Sequence, residues 1–252
     1  MDIFTIVSAI FLSLALLSAI IIVFNLFSHP QPMKVMNVVW PLTALWSSVL
    51  GLAAYFSFGK KTMKMDDGMD MDPDMKMDKN MDMHMDMSMD MGAGSGMQMD
   101  MKQDKFWQKV ALSTFHCGAG CTLADIIGES LGYRILSAFG LYGIGWSWTL
   151  DYILALLIGA GFQYAAIRPM MQKASPGSVF SKALKIDFLS LTSWQIGMYG
   201  LSYIVFFIIL PEPLSHNTFG FWFIMQLAMC AGFLLSFPMN WFLIKKGIKP
   251  SM

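Results

Sequence analysis

The chain has 252 residues, no formal net charge, 13% charged residues and 56% apolar residues. Soluble domains of this size carry about 25% charged residues, and the mean hydropathy here is +0.53. A soluble globular enzyme is therefore excluded, and a neutral chain lacks the basic surface that a nucleic-acid partner requires.

The apolar residues gather in runs, and a bilayer-crossing helix needs about 20 residues. Six spans are predicted, at 3–27, 36–58, 110–131, 146–167, 186–210 and 219–244. The fold class is all-α, a polytopic transmembrane bundle of about six helices with a disordered Met/Asp-rich loop. It divides into two N-terminal helices (1–59), the loop (60–105) and a four-helix membrane domain (106–252). The N-terminus lacks the basic start of a cleaved signal peptide, so the first run is read as a retained helix. Pro41 and Pro238 fall within spans, where neighbouring helices can satisfy the carbonyls they free. The stretch 132–145 leaves three readings open: a continuation of the third helix, an interfacial segment or a re-entrant half-helix.

With six spans, fifteen of the seventeen Lys and Arg residues fall on one side and only Lys34 and Arg134 on the other. Basic residues concentrate in cytoplasmic connections. This count expects both termini and the Met-rich loop in the cytoplasm, with the bundle in a bacterial inner membrane.

Between Lys60 and Lys105 stand fifteen of the 25 methionines and eleven aspartates, in repeated Met-Asp-Met units. No helical period survives, and the alternating charge prevents burial, so disorder without a ligand is expected. Thioether sulfur is a soft, neutral donor that selects Cu(I) over hard cations. Met81, Met83, His84, Met85 and Met87 form the densest candidate site, since His84 adds an imidazole. The bland alternative is a solvated spacer. Calcium is disfavoured, because no spaced Asp-x-Asp-x-Asp-Gly loop closes on a glutamate.

The third span carries the richest constellation. Cys117 and Cys121 stand one turn apart on one helix face, with His116, Asp125 and Glu129 on or beside it. Gly120, Ala124, Gly128 and Gly132 form a small-residue ladder that admits a neighbouring helix closely. His116, Cys117 and Cys121 can offer two sulfurs and a nitrogen to Cu(I), and Ag(I) or Zn(II) suit the same donors. Asp125 and Glu129 are candidates for moving protons or guiding a cation. Taken singly, each of these residues is equally well explained by packing or by a local ion pair.

The run Thr114-Phe115-His116-Cys117-Gly118-Ala119-Gly120-Cys121, with acidic residues after it, resembles an uncharacterised bacterial membrane-protein family, domain of unknown function 4396. The resemblance covers about 107 to 243 and rests on the His-Cys-x-x-Gly-Cys core. It implies a multi-helix inner-membrane protein and supplies no activity. In the sixth span, Met225 and Met229 resemble the Met-x-x-x-Met filter of copper-uptake channels, a likeness that covers those two residues only. Gln163, Gln195, Tyr199 and Gln226 are expected to bridge helices, whereas Asp151 and Asp187 are read as interfacial ion-pair residues.

These features lead to a Cu(I)-handling membrane protein, a transporter or tolerance factor, in which the loop captures copper and the His/Cys face receives it. A metal sensor or metalloenzyme assembly scaffold, and a membrane thiol oxidoreductase, are the alternatives. No enzyme motif is present, and no Gly-x-x-x-x-Gly-Lys-Ser/Thr loop supplies ATP-driven transport. The expected partners are the lipid bilayer, the metal ion and either a second copy of the chain or a metallochaperone or metalloenzyme.

Overall fold

The computed structural model describes residues 2–60, 105–168, 171, 175–210, 214–215 and 217–249, leaving aside the side chain of Tyr133. The Met/Asp-rich segment, with Met81, Met83, His84, Met85 and Met87, lies outside the described residues, as does the expectation that it is disordered. All regular structure among the described residues is helical: α1 (Ile3–Ser28), α2 (Met36–Ser47), α3 (Val49–Ala54), α4 (Phe106–Ala138), α5 (Ile144–Ile167), α6 (Pro176–Tyr203) and α7 (Phe219–Lys245). Wider π-helical turns extend α3 over Tyr55–Gly59 and α6 over Ile204–Ile209.

Five helices are long and apolar enough to cross a membrane: α1, α4, α5, α6 with its extension, and α7. The chain is a multi-pass membrane protein. The predicted second span, 36–58, is not one helix. At Ser48 the backbone takes φ 51° and ψ −129°, conformations no helix tolerates, and the segment doubles back. Gly59 abuts the Trp40 ring so closely that an added Cβ would overlap it. Trp40 also meets Tyr55 and Phe58, at ring-centroid distances of 5.3 and 6.3 Å. In a straight helix residues 40 and 59 would stand about 28 Å apart. The turn follows a Ser-Ser pair whose first hydroxyl back-bonds to the Thr43 carbonyl at 2.6 Å, a contact that bends helices. α2 and α3 thus form a re-entrant hairpin. Its tip is anchored where Gln226 Nε2 of α7 donates to the Leu45 carbonyl at 2.7 Å, and where Trp46 packs against Phe115, Trp194 and Phe233. Ser48 itself is buried among protein, the setting in which irregular backbone within a membrane bundle is tolerated.

The hairpin changes the topology. The start of α1 lies beside the start of α7, with Phe4 against Gly220 and Phe223. The other end of α1 lies with the open end of the hairpin, since Tyr55 donates to Asn25 Oδ1 at 2.9 Å. Phe58 continues to Trp107, and Phe106 to Trp241 near the end of α7, at centroid distances of 5.4 and 4.7 Å. The start of α1 and the end of α7 therefore occupy opposite ends of the bundle. The six-span count expects these two ends on one side; among the described residues five helices are long and apolar enough to cross. Lys34, Lys60, Lys105 and Lys245 now fall at one end, called the lysine-rich end below.

α4 is the central helix: 83% of its most apolar window is buried, against 28% for α1. It runs unbroken past Gly132 to Ala138, which selects the continuous-helix reading for most of 132–145, and its Gln108 side chain accepts from the Lys105 N–H at 2.9 Å. The chain then turns through Gly140 (φ 69°) and Gly143 (φ 113°), left-handed conformations that favour glycine. The ladder works as a seam with α5. A Cβ on Gly120 would stand 2.9 Å from Gly159 Cα, and one on Gly128 would strike the Asp151 carboxylate. α6 starts at Pro176, capped by Ser175. Pro41 and Pro238 do lie inside helices; beside Pro238, Ser193 Oγ of α6 donates to the Leu235 carbonyl at 3.0 Å.

Candidate functional site

One face of α4 meets α5, α6 and α7 along a column of polar and soft groups, in three levels. Nearest the lysine-rich end, Lys249 turns back under α7 and pairs with Asp187 Oδ1 of α6 at 3.1 Å, both side chains fully buried. Lys249 Nζ also donates to Ser190 Oγ at 3.4 Å. Ser190 donates to Asn240 Oδ1 at 2.9 Å, and Asn240 Nδ2 donates to Thr114 Oγ1 at 3.1 Å and to Ser236. This network joins α4, α6 and α7, and it has a charge on each side, so it must be closely satisfied to persist away from water. One atom is not: Asp187 Oδ2 has no hydrogen-bond partner.

Beside it lies His116, fully buried. Neither ring nitrogen has a hydrogen-bond partner, and the ring sits edge-on to Phe162 of α5 at 5.9 Å. A buried imidazole with two unused nitrogens is an exception that calls for an explanation.

The middle level holds Cys117 and Cys121, both fully buried, unpaired and within reach of each other. Gln195 Nε2 of α6 approaches Cys121 Sγ at 4.0 Å. Met198 and Met229 are buried in the same cluster, with Cys230 packed against it. Gly118 lets Trp194 lie flat on α4, and Gly232 of α7 receives the other side of the same indole. That stack locks α6 between α4 and α7 at this depth.

At the far level Asp125, Glu129 and Asp151 line a cavity of about 300 Å³ together with Trp148, Tyr199 and Met225. Asp125 and Asp151 are 3% and 4% exposed. Tyr199 donates to the Trp148 carbonyl at 2.9 Å and stacks on its indole.

The structure brings His116, Cys117, Cys121 and Asp125 onto one buried column of α4, with half-buried Glu129 at its far end. Met225 and Met229 separate, the first to the cavity and the second to the cysteine level. Among the described residues no three His, Cys, Asp or Glu side chains group closely enough to hold a metal ion. Gln195, Tyr199 and Gln226 bridge helices as expected, whereas both polar atoms of buried Gln163 lack partners. Asp151 and Asp187 are both buried; Asp187 makes an ion pair as expected, with Lys249, while Asp151 lines the cavity. Sequence reasoning passed over Ser190, Ser236, Asn240 and Lys249. The signal for two of them was there, since Ser236 and Asn240 stand one turn apart in an otherwise apolar helix.

The family described as Domain of unknown function (DUF4396) matches residues 106–249, and the chain belongs to that family. No curated protein and no solved structure matches the chain.

Proposed function

We propose that this member of the DUF4396 family is a Cu(I)-handling protein of a bacterial inner membrane, with copper as cargo that the bundle carries or sequesters. The observation that carries the reading is the buried pair of thiols, Cys117 and Cys121, next to an imidazole whose nitrogens are both unused. Cu(I) is satisfied by as few as two soft ligands, so a dithiol needs no third carboxylate or histidine to bind it. Met198 and Met229 add thioethers at the same level. Binding displaces the thiol protons, and Asp125, one turn along α4, is the nearest carboxylate on that helix.

Orientation supports a route from inside. With the re-entrant hairpin, Lys34, Lys60, Lys105, Lys109, Arg168, Lys182, Lys185, Lys245, Lys246 and Lys249 belong to the lysine-rich end and Arg134 to the other, so the positive-inside rule assigns the lysine-rich end to the cytoplasm. The start of α1 then faces outward. The Met/Asp-rich segment, flanked by Lys60 and Lys105, collects Cu(I) on thioethers and passes it to the stronger thiol site. His116, then Cys117 and Cys121, then the carboxylates follow in order from that end.

Cellular copper measured in a strain carrying Cys117→Ser and Cys121→Ser, with membrane insertion verified, tests this. Altered accumulation and tolerance is the expected result, and values equal to the native strain would sink the role of the thiol pair.

A further inference from the structure

We infer that the cavity at the end opposite the lysine-rich end is a binding site for a small protonated alkylamine. Its lining gathers Asp125, Glu129 and Asp151 and, among the described residues, contains no Lys, Arg or His, so its occupant is a cation. Two polar atoms call for one. Asp125 Oδ2 and Ser202 Oγ both lack a hydrogen-bond partner, on side chains only 3% exposed, and both residues line this space. A buried carboxylate oxygen left without a donor is costly, and an ammonium N–H supplies that donor.

Size and walls decide between an amine and a metal ion. The space of about 300 Å³ suits a small organic molecule, far more than a bare ion fills. The acidic side chains do not group tightly enough to chelate a metal. The remaining wall is aromatic and thioether: Trp148 and Tyr199 stack at 4.9 Å with their planes 3° apart, flanked by Phe206, Met198 and Met225. Aromatic faces attract ammonium groups, and the alkyl portion is sheltered by the apolar atoms. Tyr199 keeps its hydroxyl on the Trp148 carbonyl, so the ring pair is held and its face is preorganised. Ile144 and Leu214, from the connections at this end of the bundle, form part of the rim. Asp125 and Met198 border both this cavity and the thiol pair, but the assignment does not rest on the copper reading.

Isothermal titration of the full-length protein in neutral-lipid nanodiscs tests it, with butylammonium as the probe and Asp125→Asn as the variant. Saturable binding to the native protein, weakened about tenfold or more by the variant, is expected from loss of a charge-assisted hydrogen bond. Asp151→Asn carries the same expectation and serves if the first variant does not insert. Absence of saturable binding to the native protein, equal binding by the variants, or variants that lose Ag(I) binding while keeping butylammonium would overturn the assignment.

Discussion

Replacing Lys249 with alanine removes one partner of an ion pair in which both side chains are fully buried. The Asp187 carboxylate then loses its Lys249 ion pair, and its Oδ2 already lacks a hydrogen bond. Breaking a buried pair from one side costs about 3–5 kcal/mol, because the remaining charge stays desolvated. Ser190 loses a donor as well, and the chain of bonds through Asn240 to Thr114 loosens at its end. For a chain of this length each kcal/mol lowers the melting temperature by about 2–4 °C, so Lys249→Ala should melt about 6–20 °C below the native protein. Removing both charges, as Asp187→Asn with Lys249→Met, should recover most of that loss, since exchange of a buried pair for uncharged groups is often neutral. Thermal unfolding in detergent, followed by the fluorescence of the eight tryptophans, reads both. An unchanged melting temperature for Lys249→Ala, or a double variant less stable than the single, would refute the buried-pair account.

Gly120→Ala should destabilise the bundle by about 1–3 kcal/mol, since the new Cβ meets the Gly159 backbone, which cannot yield as a side chain would. Gly161→Ala, where an added Cβ meets nothing within 4 Å, should melt as the native protein does, and the reverse ranking would disprove the α4–α5 seam. The re-entrant hairpin predicts that single cysteines at positions 34 and 60 react with an impermeant thiol reagent from the same side of the membrane. Labelling from opposite sides would restore a full crossing between them.

The helical membrane fold was legible because its signals are local: apolar runs of bilayer length and small-residue spacing along one face. The continuous span at 36–58 was the error, and its cause is tertiary. Composition alone fits a crossing helix there, while the turn at Ser48 is stabilised by Gln226, distant in sequence, and by the Trp40 and Trp46 contacts. Counting 36–58 as a crossing sets the start of α1 and the end of α7 on one side, whereas Phe4 packs beside the start of α7, at the opposite end of the bundle from Lys245. At the site, helical periodicity placed His116, Cys117, Cys121, Asp125 and Glu129 on one side of α4. It could not show that Asp151 of α5 joins the carboxylates, or that Lys249 folds back onto Asp187. Those contacts depend on helix rotation and on the final turn after α7, which no single-helix pattern encodes.

The central claim is that Cys117 and Cys121 hold Cu(I) inside the bundle. Anaerobic Cu(I) titration of the purified chain lacking residues 61–104, against a competing chelator, addresses it most directly. The account predicts one tightly bound Cu(I) per chain, about tenfold or more weaker when either cysteine is serine. Equal affinity in the Cys117→Ser and Cys121→Ser proteins, or no tight Cu(I) in the loop-deleted chain, would contradict it.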